Sequence, residues 1–327
     1  MRTVWILELW PKKALYDQVL FLDGIGRAGK FLLSKICSNF ERIENFQYVE
    51  SLEHIPILNS LNLVEKSAAI SMMQIILDSS IYGLAIGRGL NLRKKDSSSI
   101  LHATDYKKYL DRAENKDGIN AIFKLKKLNR LPSFLIHECL PHINFLLEVF
   151  PYLQMIHIQR HPIDLSYSWL HRGWGKRYGV DPLAFIPTIK NNKGPAPWFT
   201  RNWKQDYMEM SEADRVINSI CTLQNLTLQS YGKLNKRMKK KILILSYEDF
   251  FSIPNLVINK LSTFLKSRPL PNMKEILERE GCPKEIPISS RITKFEELVK
   301  ISTPNSIKEL AECSKKYDSL WNLESFT

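Results

Sequence analysis

Residues 19–22 form an unbroken apolar run that stops at a glycine-rich stretch, and from residue 30 to 40 apolar side chains return at helical spacing. Four apolar residues bounded by glycine predict a strand buried on both faces of a parallel sheet, and the period that follows predicts a helix. Similar runs at 133–136, 154–159 and 242–246 predict further buried strands. Helical periodicity marks 62–78, continuing toward a break at Gly87 and Gly89, and then 211–236, 254–266, 272–280 and 304–320. A shorter run at 119–123 reads as a strand closing a highly charged segment, and 41–53 reads as partly extended. Strands alternating with helices predict an α/β fold in three layers, a central and mostly parallel sheet flanked by helices. Trp5 and Trp10 are expected against the sheet edge, and Tyr317 and Trp321 are expected to anchor the last helix.

The junction after the first run carries the sharpest chemical signal. Gly24, Gly26 and Gly29 permit a tight turn, and a helix beginning there offers unpaired N–H groups and the positive end of its dipole. Strand, turn and helix N-terminus together make an anion site. Arg27 and Lys30 bring two full positive charges to the same point. The spacing Gly24-x-x-x-x-Gly29-Lys30 fits most of the phosphate-binding loop of nucleotide enzymes, which points to a P-loop nucleotide-hydrolase-like sheet. The next residue, however, is Phe31, and a phenyl ring cannot ligate magnesium as a Ser or Thr does there. The loop is expected to bind a phosphate-like group with no metal held in the usual way.

At 327 residues and 44% hydrophobic composition the chain can bury a large core, in one big α/β domain or two small ones. The formal net charge of +13 favours anionic partners without choosing among nucleotide, acidic glycan, nucleic acid and membrane surface. Nucleic acid is disfavoured, because the basic residues are dispersed and no recognised binding module appears. The five cysteines never form a C-x-x-C pair, which predicts a reducing compartment and no zinc site. Val4 to Trp10 is interrupted by Glu8 and followed by Pro11, so no integral membrane segment and a cytoplasmic location are expected.

Further along, Glu50, Glu53 and His54 fall where a first βα unit returns toward the strand ends, the usual place for ligands in open sheets. Each is a candidate general base. Arg88, Arg93, Lys94 and Lys95 form a local basic cluster that suits an anionic or polyhydroxyl acceptor, or a solvated loop. His137, at the end of the second strand, is a candidate to line the site, and His142 is expected on a helix surface. The second strong signal is Arg160-His161-Pro162 followed by Ser168. A strand ends in arginine, proline opens the next helix at a position where its missing N–H does no harm, and the serine lies two turns on. Arg160 and Ser168 can then share one phosphate.

These residues resemble the signatures of the sulfotransferases that use 3′-phosphoadenosine 5′-phosphosulfate (PAPS). The family's phosphosulfate loop stands here as Arg27-Ala28-Gly29-Lys30-Phe31-Leu32-Leu33, with Gly26 before it, and its 3′-phosphate signature R-x-P-x-x-x-x-x-S as Arg160, Pro162 and Ser168. A third match runs from Ile242 through Tyr247-Glu248-Asp249-Phe250, similar to the family's late strand and Y-E-D sequence. Ala28, Lys30 and Phe31 stand where the family carries hydroxyl residues. The resemblance implies one domain over 1–327, with a nucleotide-binding core at about 17–266, an acceptor-side insertion near 170–210 and a C-terminal helical cap at 267–327. It further implies PAPS as co-substrate with no metal, Tyr247 near the adenine, and Arg291, with Lys294 second, in a basic loop over the 3′-phosphate.

The expected reaction is attack of an acceptor hydroxyl on sulfur, with loop N–H groups, Arg27 and Lys30 opposing the charge that grows on the leaving oxygens. Glu53 or His54 takes the acceptor proton. The acceptor is a small molecule or glycan, toward which the aromatic residues of 169–207 tilt the reading, and the oligomeric state is left open. Two alternatives remain: a kinase-type phosphotransferase, and a noncatalytic nucleotide- or glycan-binding protein on the same fold.

Overall fold

In the computed structural model, residues 8–10 and 12–327 are described; Trp5 lies outside them. The first run becomes strand β1 (Val19–Gly24), and the glycine turn leads into α1 (Lys30–Cys37). A two-residue strand β2 (Gln47–Tyr48) precedes α2 (Ser51–Ser60) and α3 (Lys66–Ala85). Helix α4 (Ile119–Lys127) leads to β3 (Ser133–Leu135), and β4 (Leu153–Gln159) leads to α5 (Pro162–Leu170). A hairpin of β5 (Thr188–Asn191) and β6 (Gly194–Pro197) comes before α6 (Glu212–Gly232) and β7 (Ile242–Ser246). Helices α7 (Pro254–Leu265), α8 (Ile288–Ile301) and α9 (Pro304–Trp321) complete the chain.

Five strands make one parallel sheet in the order β2-β3-β1-β4-β7, with β5 and β6 a separate antiparallel pair. Every residue of β1 is buried, because helices cover both faces. Alternation sorts its side chains: Leu20 and Leu22 join one core with Leu33 and Ile36 of α1, while Val19 and Phe21 join the other with Met73, Leu77 and Ile81 of α3. Helix α3 has the length and apolar composition that could cross a bilayer, but half of its apolar window is buried against the sheet. All five cysteines are buried and free.

The central position of β1 makes it the switch point, since β2 and β3 lie to one side of it and β4 and β7, which follow in the chain, to the other. Ligands in open parallel sheets bind outside the carboxyl ends at such a point. There Gly24 of β1 pairs with Ile158 of β4, which places the glycine turn beside the end of the strand that leads to Arg160.

Several expectations give way to packing. Residues 119–123 are helical rather than extended, because Ala121, Ile122 and Leu125 bury one face at helical spacing. Within 41–53 only Gln47–Tyr48 pairs as a strand, and α2 runs through Pro56. His142 is buried, with its ring 5.0 Å from that of Trp198, instead of lying on a helix surface. Trp10 is 90% exposed and does not cover the sheet edge. In the aromatic segment Trp169, Trp198, Phe199 and Tyr207 are core residues, and Phe185 is exposed.

Candidate active site

The loop between β1 and α1 is shaped by its backbone. Gly29 takes φ +102°, a conformation that favours glycine, and a Cβ there would come within 2.6 Å of the Tyr247 ring. A Cβ on Gly26 would meet Trp174 at 2.6 Å, and the Gly26 carbonyl accepts a 2.8 Å hydrogen bond from Trp169 Nε1. Part of the aromatic segment therefore clamps the loop from behind. No side chain caps α1, so the N–H groups of its first turn face the loop.

Arg160, just beyond β4, donates from Nη1 to the Arg27 carbonyl at 3.0 Å, and its guanidinium lies 4.3 Å from the centre of the Tyr247 ring. The three separated sequence signals thus meet at one place. Arg27 itself takes φ +71° and is exposed. Its pKa is lowered by desolvation and by the nearby charges of Arg172 and Arg160. Three guanidinium groups crowd the mouth of the loop, and Arg160 Nε is buried without a hydrogen-bond partner. Ser168, on α5 and half-buried, follows the same turn. Of the positions where hydroxyls were expected, Ala28 is fully buried and Phe31 is 39% exposed, its ring edge-on to Phe46.

Lys30 turns inward. Its ammonium is buried, donates to the Gly24 carbonyl at 2.6 Å, and has its pKa lowered by desolvation, an effect opposed by Glu138, Asp23 and Glu53. Glu138 follows β3 with φ +55°, and its carboxylate accepts the Gly26 N–H at 3.0 Å. Burial raises its pKa, against the pull of Lys30 and His137. The loop therefore already holds one carboxyl oxygen of the chain. Asp23 holds the neighbouring turn, accepting from the N–H groups of Cys139 and Leu140 and from His157 Nδ1 at 2.8–3.0 Å.

Glu53 lies on α2 and is buried. Its Oε2 accepts from the His137 N–H at 2.7 Å and faces His137 Nδ1 at 3.0 Å, while its Oε1 accepts from the Tyr48 hydroxyl at 3.1 Å. His54 points elsewhere: its Nε2 is 3.1 Å from the Phe185 carbonyl and 3.9 Å from Glu53. His137, a candidate from the sequence, faces Glu53, and Glu138 is the residue the sequence alone does not single out. Their signal was position, immediately beyond the strand that flanks β1.

Arg291 differs from its expected setting. It lies in helix α8 rather than a loop and is buried, donating to Asp164 at 3.1 Å and to Glu248 at 3.3 Å. Lys294 binds Asp164 as well, at 2.5 Å. Glu248 in turn accepts the His161 N–H at 3.1 Å and the Tyr317 hydroxyl at 2.5 Å, and His161 Nε2 is 3.1 Å from Asp318. The two cations are spent on fixing the turn behind Arg160.

Among the described residues no group of His, Cys, Asp and Glu has metal-binding geometry. The family model for the sulfotransferase domain matches residues 17–280. No curated protein sequence matches the chain. Among solved structures, the sulfotransferase domain from the curacin biosynthetic pathway is similar at 13% identity and TM-score 0.46, covering 94% of this chain and 99% of that one. The sulfotransferase domain of the Synechococcus PCC 7002 olefin synthase shows 13% identity and TM-score 0.47, covering 95% and 98%. Sulfotransferase STF9 from Mycobacterium avium shows 11% identity and TM-score 0.46, covering 95% and 78%. The matched span takes in the glycine loop, the Arg160 turn and Tyr247 alike, and the chain belongs to the sulfotransferase family.

Proposed function

We propose that the protein transfers a sulfuryl group from PAPS to a hydroxyl of a small-molecule or glycan acceptor. The observation that carries the reading is the gathering of Arg27, Arg160 and Arg172 at an uncapped helix N-terminus, since like charges crowd this way where an anion of high charge is bound. The unpartnered Arg160 Nε and the fit of Gly29 beneath Tyr247 suit a phosphorylated adenosine. Arg160 with Ser168 would hold its 3′-phosphate, the 26–31 loop its 5′-phosphosulfate, and Tyr247 its base. PAPS supplies an activated sulfuryl group whose leaving oxygens gain negative charge on transfer.

The chain's own contribution is electrostatic and proton-handling. Loop N–H groups and the Arg27 charge face the position where negative charge develops, a preorganised arrangement that costs no reorientation during reaction. Proton removal from the acceptor falls to His137. Glu53 spends its oxygens on His137 and Tyr48, so the carboxylate fixes the proton on Nδ1 and leaves Nε2 free to accept. Glu53 is thus a positioning residue for the base, and His54 ties α2 to the insertion. General-base catalysis of this kind is worth about 10²–10⁴-fold in rate.

Calorimetric titration with 3′-phosphoadenosine 5′-phosphate (PAP) against ATP and magnesium tests the donor, and transfer of labelled sulfate from PAPS tests the activity. PAP is expected to bind without magnesium and more tightly than ATP. Preference for magnesium–ATP would replace this reading with phosphotransfer. His137→Ala is expected to lower turnover by about 10²–10⁴-fold with PAP affinity retained; an unchanged turnover would remove His137 from the chemistry.

A further inference from the structure

Two cavities outside the donor site share a wall. The first, about 460 Å³, lies along β2 and α3 and is lined by Gln47, Tyr48, Glu50, Ser79, Ser80 and Asn91 among others. Tyr48, which also donates to Glu53, joins it to the proton-handling residues. Its lining is rich in amide and hydroxyl groups, and Gln47 Nε2 is buried with no hydrogen-bond partner. Asn45 and Phe46 separate this cavity from the second, of about 630 Å³. The second is cationic: Lys94, Lys95 and Arg279 line it, while its one lining acid, Glu280, is neutralised by Lys35 at 2.7 Å. Phe46 and Tyr106 give it aromatic faces. Lys35 is five residues beyond Lys30 on α1, so at 1.5 Å rise per residue the cationic cavity begins about 7.5 Å along the helix from the loop.

The geometry points to an acceptor of a particular class: an elongated polyhydroxylated molecule that carries an anionic group, carboxylate or sulfate. Its reacting hydroxyl lies at the Tyr48 end, its uncharged hydroxyls run along the amide-lined cavity, and its anion sits between Lys94, Lys95 and Arg279. An exposed cation cluster alone is an ordinary solvated surface. Here it lines a cavity that shares Asn45 and Phe46 with the neighbouring cavity, where Tyr48 and the unpartnered amide of Gln47 lie. The inference deepens the sulfotransferase reading and rests on it for the identity of the reacting end.

The test is calorimetric binding of three probes without PAP: a hyaluronan tetrasaccharide, a chondroitin 4-sulfate tetrasaccharide and a carboxyl-reduced hyaluronan tetrasaccharide. The acidic probes are expected to bind about tenfold or more tightly than the reduced one, as one desolvated charge contact supplies. That preference should shrink at high salt and disappear in Lys94→Ala/Lys95→Ala, with PAP affinity serving as the check that the variant is folded. Arg279→Ala should weaken it separately. Equal binding of acidic and reduced probes, no binding of either acidic probe, or a preference that survives the double variant would each overturn the inference. A protein that binds the acidic probes but not PAP would instead refute the donor assignment and leave the cavity assignment standing.

Discussion

Removing the Arg160 side chain probes the point where the sequence signals converge. Arg160→Ala deletes the 3.0 Å bond to the Arg27 carbonyl and the contact with Tyr247 at 4.3 Å, together with a full charge facing the proposed 3′-phosphate. A charge-assisted hydrogen bond contributes about 1.5–3 kcal/mol. That range corresponds to a rise in the PAP dissociation constant of about 10- to 100-fold at 1.4 kcal/mol per decade. Arg160→Lys keeps the charge but loses the planar fork and the stacking, so it should recover only part of the loss. Titration calorimetry with PAP at fixed salt reads both variants, with far-ultraviolet circular dichroism checking the fold. An Arg160→Ala protein that is folded and binds PAP within about threefold of wild type, well under the 1.4 kcal/mol of a decade, would show that this guanidinium does not hold the nucleotide.

Other consequences are as direct. Glu53→Gln should lower turnover while leaving PAP affinity intact, because the base loses its aligned partner; an unchanged turnover would separate Glu53 from His137. Gly29→Ala forces a Cβ toward Tyr247 at an unfavourable φ, for a cost of about 1–3 kcal/mol in denaturant-measured stability and weaker PAP binding. Trp169→Phe leaves the Gly26 carbonyl without its donor, at about 1–3 kcal/mol, and should soften the loop as read by amide exchange. Burial drops the His142 pKa from 6.5 to about 4. The unfolded chain then binds more protons in that range, so stability is complete above about pH 6.5 and declines toward pH 4, by about 3 kcal/mol at most. His142→Phe should flatten that decline in urea titrations across the same range.

The architecture was legible because its strands are short apolar runs and its loop is punctuated by glycine. Residues 19–22 and 154–159 have the length and apolar content of buried parallel strands, and β1 and β4 appear there. The short run at 119–123 was ambiguous by nature, since length and periodicity decide poorly between strand and helix over so few residues. At the candidate site, Arg27, Gly29 and Arg160 could be picked out one by one from spacing and Tyr247 from the resemblance, and they come together. Glu138 and the Glu53–His137 pair could not, because they depend on which strand ends become neighbours. Arg291 was misplaced for a related reason: charge and position along the chain do not reveal that Asp164 and Glu248 already claim it.

The braced turn behind Arg160 has a consequence for where the working unit stops. The family match ends at residue 280, yet Arg291, Tyr317 and Asp318 come after it and hold Glu248 and His161 in place. A polypeptide trimmed at that boundary would keep every signature letter and lose the buttress beneath one of them. On the proposed nucleotide reading the tail acts as a keystone: its removal should weaken PAP binding by releasing the turn that carries Arg160.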